Sequence, residues 1–164
     1  MKRMFAVTGA LAAALAFAGT ATAGADTATL GPDGYKGLHP GQTTAEAEAT
    51  GLLVDKQQNG GCTRYYLNPS EGQQNVGGGV WIDQQAGLVL LSGTERTHTP
   101  EGITMGSTLD QIRKAYPDLK PVPPQDFVYD TQVPGHPELH YRFAVDDQQR
   151  VRDYDLDTGS LGAC

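Results

Sequence analysis

The clearest pattern along this chain is an amphipathic segment that occurs twice. In residues 102–117 (GITMGSTLDQIRKAYP), the apolar side chains of Leu109, Ile112 and Tyr116 recur at the spacing of one helix face. A fainter copy of this segment lies at residues 37–52 (GLHPGQTTAEAEATGL). The pattern therefore predicts two related units, each of which begins with a short helix.

Both segments also carry the residues that begin a helix. Thr43 is followed three positions later by Glu46, and Thr108 by Gln111, which is the spacing of a capping box. In this motif the Thr hydroxyl accepts a hydrogen bond from a helical N–H, and the longer side chain accepts one from the Thr N–H. The predicted helices cover about residues 44–50 and 109–116.

Runs of β-forming residues predict the strands of the two units. The predicted strands are residues 62–67, 79–82, 88–91, 127–129, 139–145 and 150–156. Residues 88–91 (LVLL) do not alternate with polar residues, so their strand is expected to be covered on both faces or to face the other unit. We therefore predict an α+β fold of two tandem repeats, residues 37–98 and 99–164. In each repeat, a short capped helix or a helix-loop-helix would pack on an antiparallel sheet of about three to four strands.

The beginning of the chain has the pattern of a signal peptide. Lys2 and Arg3 precede an alanine-rich apolar stretch, and Ala21-Thr22-Ala23 supplies the small residues that signal peptidase requires. A retained membrane anchor is the alternative, but the apolar stretch is shorter than the roughly 20 residues that a membrane span requires. We expect residues 1–23 to be removed and residues 24–36 to form a flexible segment. The protein is then secreted, either extracellular or retained at the cell envelope.

The chain is acidic, with a formal net charge of −7, and it becomes more acidic once Lys2 and Arg3 are removed. A negative protein repels phosphate backbones and anionic lipid headgroups, so we expect no binding to nucleic acid or to a membrane surface. We also expect no membrane span after signal cleavage. Solubility alone also accounts for such a charge. The expected partner is a protein or a cell-envelope component.

The two cysteines, Cys62 and Cys164, are expected to form a disulfide, because an exported protein with an even number of cysteines usually oxidises them. A zinc site would need further ligands, and a redox pair would need a C-x-x-C spacing, neither of which is present. The sequence indicates no cofactor.

The two helical segments resemble those of β-lactamase inhibitory protein and, more distantly, the single repeat of the BamE outer-membrane assembly lipoproteins. The resemblance rests on a Gly-x-Thr sequence before a short amphipathic helix and a meander of strands, and its best match is residues 103–113 (ITMGSTLDQIR). Ser107 and Gln42 stand where the family favours Met. The resemblance implies the α+β fold predicted above and a sheet surface that binds another protein. No contact residue of the inhibitor matches this chain position by position.

Two groups of residues are weak candidates for a metal site. His136, Glu138 and His140 would share one face of an extended strand, whereas Pro134 and Pro137 favour an irregular loop.

The second group is Asp153, Asp155 and Asp157, whose alternation resembles part of a calcium loop. If this segment is a strand, the same alternation directs Asp153 and Asp155 to water and Tyr154 and Leu156 to the core, and we favour the strand.

No recognisable nucleophile and base occur in the sequence, so no catalytic residue is predicted. The sequence favours a non-catalytic binding module, inhibitor-like or envelope-associated, that acts through its sheet surface or the groove between the repeats. A calcium- or metal-dependent structural protein and an enzyme of unrecognised type are the alternatives. The candidate contacts are the aromatic side chains of Tyr65, Tyr66, Trp81 and Tyr141, since aromatic residues dominate many interfaces. The competing interpretation places these rings in the core.

Overall fold

The described part of the protein is built on one sheet of eight strands. The computed structural model describes residues 28–75, 77–160 and Cys164. The helices are α1 (Thr44–Ala49) and α2 (Leu109–Ala115), and a 3₁₀ turn covers Pro69–Glu71. The strands are β1 (Leu53–Asn59), β2 (Cys62–Leu67), β3 (Val80–Asp83), β4 (Gly87–Ser92), β5 (Lys120–Val122), β6 (Gln125–Val133), β7 (His136–Val145) and β8 (Val151–Asp157). Their order across the sheet is β1-β2-β3-β4-β8-β7-β6-β5, and each neighbouring pair is antiparallel.

The predicted architecture of two repeats, each with a helix packed on its own sheet, is wrong. Strand β4 pairs with β8, with Leu90 opposite Asp157 and Leu91 opposite Leu156, so the strands form one continuous sheet. The α-helices are minor elements of six and seven residues. Two separate sheets would each expose the N–H and C=O groups of an edge strand at β4 or β8. Pairing these two strands removes both edges.

The central position of β4 accounts for its apolar sequence. Residues 88–91 are each no more than 4% exposed. Strands β3 and β8 flank β4, and both faces of β4 are covered. The prediction that this strand is covered on both faces is therefore confirmed. Its last residue, Ser92, is also buried.

Four strands differ from their predicted positions: β1 and β5 were not predicted, and β6 and β7 are longer than predicted. Strand β1 was not predicted, because Lys56 and the glutamines that follow it make its sequence polar. Strand β7 begins at His136 and runs through Pro137, where we predicted an irregular loop. The pairing of β7 with β8 begins only at His140, so Pro137 lies where no N–H is required on that side.

The first described residues are part of the packed structure. The N–H of Leu30 donates to the carbonyl of His98 at 2.8 Å, and Leu30 is only 1% exposed. The hydroxyl of Tyr141 donates to the carbonyl of Leu30 at 2.9 Å. Residues 28–36 are thus fixed to the core, while the predicted signal peptide, residues 1–23, lies outside the described residues.

The hydrophobic core lies on one face of the sheet, where both helices pack through Ala47, Leu109 and Ile112. The centre of this core is a group of aromatic rings. The rings of Tyr116, Tyr141 and Phe143 contact one another, with centroid distances of 5.7 Å (Tyr116 to Tyr141), 5.6 Å (Tyr116 to Phe143) and 6.2 Å (Tyr141 to Phe143). Burial raises the pKa of both tyrosines above the usual value. We call this side of the sheet the core face.

Each helix begins with the capping box that the sequence predicts. The N–H of Thr43 donates to Oε2 of Glu46 at 2.9 Å, and the N–H of Glu46 donates to Oγ1 of Thr43 at 3.4 Å. The corresponding distances between Thr108 and Gln111 are 2.7 and 3.3 Å. These hydrogen bonds satisfy N–H groups that a helix of only six or seven residues otherwise leaves free.

Candidate binding site

The opposite side of the sheet, which we call the open face, carries aromatic and charged side chains. Residues opposite each other in neighbouring antiparallel strands point to the same face. Arg64 lies opposite Trp81, Trp81 opposite Leu90, and Leu90 opposite Asp157. Asp157 in turn lies opposite His140. The strand register therefore brings side chains from five strands into one continuous surface.

The aromatic half of the open face is organised around Arg64. The guanidinium carbon of Arg64 lies 4.6 Å from the ring centroid of Tyr66 and 5.4 Å from that of Trp81. Nε of Arg64 donates to the carbonyl of Gly78 at 3.0 Å, and Nη2 donates to the hydroxyl of Tyr66. All three side chains are half-buried. Arg64 therefore holds two aromatic rings in fixed positions at the surface of the sheet.

The structure divides the four aromatic residues that the sequence singled out. Tyr66 and Trp81 lie on the open face, whereas Tyr65 and Tyr141 are 3% and 0% exposed and belong to the core. Tyr65 and Tyr66 separate because successive residues of a strand point to opposite faces. Tyr65 and Tyr141 are therefore core residues and are not available as contacts.

The polar half of the open face contains carboxylates that contact His140 and Arg142. Nδ1 of His140 lies 2.8 Å from Oδ1 of Asp130, and Nη2 of Arg142 lies 3.2 Å from Oδ2 of Asp157. The second pair is an ionic contact without hydrogen-bond geometry, since this oxygen of Asp157 is buried and accepts no hydrogen bond. The other oxygen, Oδ1, accepts the N–H of Gly159 at 2.6 Å. Arg142 is therefore engaged with Asp157 and, at 4.0 Å, with Asp130.

Asp155 and Asp153 are half-buried beside these pairs. The hydroxyl of Ser92 donates to Oδ1 of Asp155 at 2.5 Å. Burial raises the pKa of Asp155 to about 7, and the carboxylate of Asp153 adds to the increase. Burial also raises the pKa of Asp153 to about 6.

The strand alternation predicted for this segment is correct, because Tyr154 and Leu156 are buried in the core. The expectation that Asp153 and Asp155 point freely to water is wrong. Gly77 and Cys164, which belong to neighbouring segments of the chain, cover this part of the open face and border the same cavity as Asp155. Asp153 and Asp155 are both half-buried.

A cavity of about 300 Å³ lies between the aromatic and polar halves of the open face. It is lined by Gly77, Trp81, Leu90, Arg142, Asp155 and Cys164. The cavity thus combines an aromatic ring, an aliphatic side chain and groups of both charges, which is the composition of a site that recognises a polar group on an apolar stem.

The predicted disulfide between Cys62 and Cys164 is present, with 5.4 Å between the Cα atoms and a separation of 102 residues. It fixes Cys164 to the start of β2, where Cys164 borders the cavity. Closing so long a loop restricts the unfolded chain by about 4–5 kcal/mol in the chain-entropy model.

The weak metal candidates are not assembled into a site among the described residues. The one group of three potential ligand atoms within 4.8 Å of one another is Cys62, Asp83 and Cys164, and both of its cysteines are disulfide-bonded. His136 lies 3.4 Å from Glu138, whereas His140 contacts Asp130. Residues four positions apart in a strand are separated by about 13 Å, which also keeps Asp153 away from Asp157.

No family model, curated protein or solved structure matches this chain. Among the residues that the structure describes, no helix is both long and apolar enough to cross a membrane. The resemblance to β-lactamase inhibitory protein therefore stays an expectation, and the functional argument depends on the open face itself.

Proposed function

We propose that this protein is a non-catalytic binding module that binds a protein partner through the open face of its sheet. The observation that carries the proposal is the arrangement of Arg64 between Tyr66 and Trp81, beside a cavity. Arginine, tyrosine and tryptophan are the residues that most often dominate the free energy of protein–protein binding.

The rigidity of the aromatic half supports this role. Tyr66 and Trp81 project from paired strands in the middle of the chain, and Arg64 connects them to the backbone at Gly78. A partner that binds such a surface does not have to order flexible side chains first, so less conformational entropy is lost on association.

The environment of Ser92 favours binding over nucleophilic catalysis. Its hydroxyl contacts Asp155, whose pKa of about 7 would suit a base, but Ser92 is only 1% exposed. The same oxygen also accepts the N–H of Gly79 at 2.9 Å. A substrate would have to displace the surrounding backbone to reach this hydroxyl.

We further propose that the protein acts outside the cytoplasm, secreted or retained at the cell envelope. The predicted signal peptide motivates this part of the proposal, and a disulfide is typical of oxidising compartments. The partner is then a protein or another envelope component of the same compartment.

The test is capture of a partner from the secreted and envelope fractions of the producing organism, followed by titration of the purified partner. We expect Trp81→Ala or Tyr66→Ala to weaken binding by roughly 30-fold or more, the size of a binding hot spot. Phe127→Ala is the matched control, because Phe127 is exposed at 40% but lies away from the Arg64 group.

Circular dichroism establishes that each variant is folded. Equal affinity of the Trp81→Ala variant and the unmodified protein would show that the open face is not the binding surface. Turnover of a substrate by the purified protein would overturn the non-catalytic assignment.

A further inference from the structure

We propose that a second cavity, at the β1 edge of the open face, accommodates a basic side chain, Lys or Arg, that the protein partner presents. This inference rests on the proposed function, and it specifies the chemistry of the partner. The cavity, which we call the edge cavity, has a volume of about 490 Å³ and lies where β1 and β2 meet the segment around Gly72. Tyr66 forms part of its wall and also packs on Arg64, so a partner on the open face reaches this cavity.

The walls of the edge cavity suit the two parts of a basic side chain. Val54, Leu67 and Pro69 offer apolar surface to the aliphatic stem, as long basic side chains require. Asp55 and Glu95 are exposed and supply carboxylates. In the described part of the chain, neither carboxylate has an ion pair or accepts a hydrogen bond. An acidic side chain would be repelled by both carboxylates, and an aliphatic one would leave them without a cation.

The bulge in β1 sets the charge at this edge of the sheet. The pairing of β1 with β2 shifts between Val54 and Gln57, and Asp55 has a positive φ of 55° within the shift. The ammonium of Lys56 lies 2.9 Å from a carboxylate oxygen of Glu48 on α1. A bulge changes the direction of the side chains in an edge strand. Here it leaves a carboxylate at the cavity and places the neighbouring cation against the helix.

Among the described residues that line the edge cavity there is no Lys, Arg or His. Nη1 of Arg96 and Nε of Arg64 each donate to a backbone carbonyl, at 2.9 and 3.0 Å. Arg152 borders an adjoining cavity together with Glu95, but its guanidinium carbon lies 5.0 Å from the ring centroid of Phe127 and it makes no ion pair with Glu95. The edge cavity therefore differs from the first cavity, which a guanidinium lines.

The floor of the edge cavity is fixed by the fold. The side-chain amide of Gln74 accepts the N–H of Leu67 at 2.7 Å and donates to the carbonyl of Ser92 at 2.8 Å. Gly72 has a φ of 100°, and a Cβ atom at this position would lie 2.8 Å from Oγ1 of Thr94, so the turn requires glycine. A side chain that enters the cavity therefore does not have to order its floor first.

The first experiment uses the exported, disulfide-bonded protein and two small probes. The probes are the Nα-acetyl amides of lysine and of norleucine, which has a similar stem without a charge. Backbone amide NMR spectra of the isotope-labelled protein follow Val54, Asp55, Tyr66 and Glu95 separately. We expect saturable shifts at these residues with the lysine probe and much smaller shifts with norleucine. Binding of the lysine probe should weaken at higher salt, because salt screens charges at an exposed site.

The key variants are Asp55→Asn and Glu95→Gln, which each remove one charge and keep the size of the side chain. Asn also tolerates the left-handed backbone at position 55, so this variant should fold. We expect each substitution to weaken binding of the lysine probe about threefold, the size of one exposed ion pair, and the double variant to weaken it about tenfold. Asp110→Asn is the control, because Asp110 is 91% exposed on α2. Equal binding by the double variant and the unmodified protein, or equal shifts with the two probes, would overturn the inference.

The outcomes separate this inference from the proposed function. If Trp81→Ala abolishes partner capture while the lysine probe leaves the signals of Asp55 and Glu95 unchanged, the inference fails and the protein-binding proposal stands. If the probe binds at these residues but the partner binds equally well to the Trp81→Ala variant, the edge cavity is a site for a cation and the proposed interface is wrong.

The captured partner provides the second test of the edge cavity. We expect the double variant of Asp55 and Glu95 to weaken its binding about tenfold, as for the probe, and Asp110→Asn to leave it unchanged. Unchanged affinity of the partner for the double variant would show that the partner presents no basic side chain to this cavity.

Discussion

The two faces of the sheet use the same strands for different purposes. On the core face, aromatic rings such as Tyr141 are fully buried and contact other rings. On the open face, the rings of Tyr66 and Trp81 are half-buried and contact the guanidinium of Arg64. The comparison shows that the face on which an aromatic side chain lies decides its role in this protein. A ring on the core face stabilises the fold, and a ring on the open face is a candidate contact. The face alternates between neighbouring residues of one strand.

The largest expected difference between the faces is in the cost of removing a ring. Tyr141→Ala should reduce the free energy of unfolding by about 4 kcal/mol, because it leaves a large cavity in the aromatic core. Tyr66→Ala should cost about 1 kcal/mol or less, since its site can fill with water. Denaturant unfolding of the two variants measures both values. Equal costs would mean that the open face is packed as tightly as the core, and the distinction between the faces would be lost.

The second expected difference is in the response to pH, which should come from the open face. The folded-state pKa values of Asp153 and Asp155 are raised to about 6 and about 7, from about 4 in an unfolded chain. The folded state therefore binds more protons than the unfolded state between these values. The free energy of unfolding should be highest near pH 4–5 and fall as the pH rises to 8, by up to about 1.4 kcal/mol for each unit by which a pKa is raised.

The pH response can be assigned to these residues by substitution. Asp155→Asn should remove most of the loss of stability between pH 5 and pH 8, whereas Asp110→Asn should leave it unchanged. Glu46 and Asp83 act in the opposite direction and in a lower window, because hydrogen bonds lower their pKa values. A constant free energy of unfolding between pH 5 and pH 8 would contradict the burial of the two carboxylates.

The smallest expected effect concerns the helices, which pack only on the core face. Thr108→Ala removes the hydroxyl that accepts the N–H of Gln111 and should reduce the free energy of unfolding by about 1 kcal/mol. Partner capture should not change, since the substitution lies on the other side of the sheet. Thr108→Ser, which keeps the hydroxyl, is the control. Loss of capture without loss of stability would mean that the helical side takes part in binding.

Local features of the fold could be predicted from the sequence, since they depend on residues near one another in the chain. The capping boxes at Thr43 and Thr108 follow from a spacing of three residues, and the burial of residues 88–91 follows from their apolar sequence. The disulfide is the exception to this locality. Cys62 and Cys164 were predictable because no other cysteine was available to either of them.

The continuous sheet could not be predicted because the pairing of β4 with β8 joins strands that lie far apart in the chain. The sequence identifies strands with free edges but does not say which edges meet. The same limit applies to the candidate site. Arg64, Arg142 and Asp130 carry no motif, and only the strand register places them beside Trp81 or Asp157. The only sequence signal for this site was the alternation of polar and apolar residues around Arg64 and Trp81. This alternation predicts which side chains share a face of one strand, but it does not predict which residues lie opposite them on the next strand.

The central claim, that the open face binds the partner, is tested most directly by oxidative footprinting of the protein with and without its captured partner. Exposed aromatic side chains react with hydroxyl radicals, and a partner that covers them slows this reaction. We expect the partner to protect Tyr66 and Trp81, to leave Phe127 unchanged, and to have no effect on the buried Tyr141. Protection of Phe127 with unchanged reactivity of Tyr66 and Trp81 would contradict the claim and place the interface elsewhere on the molecule.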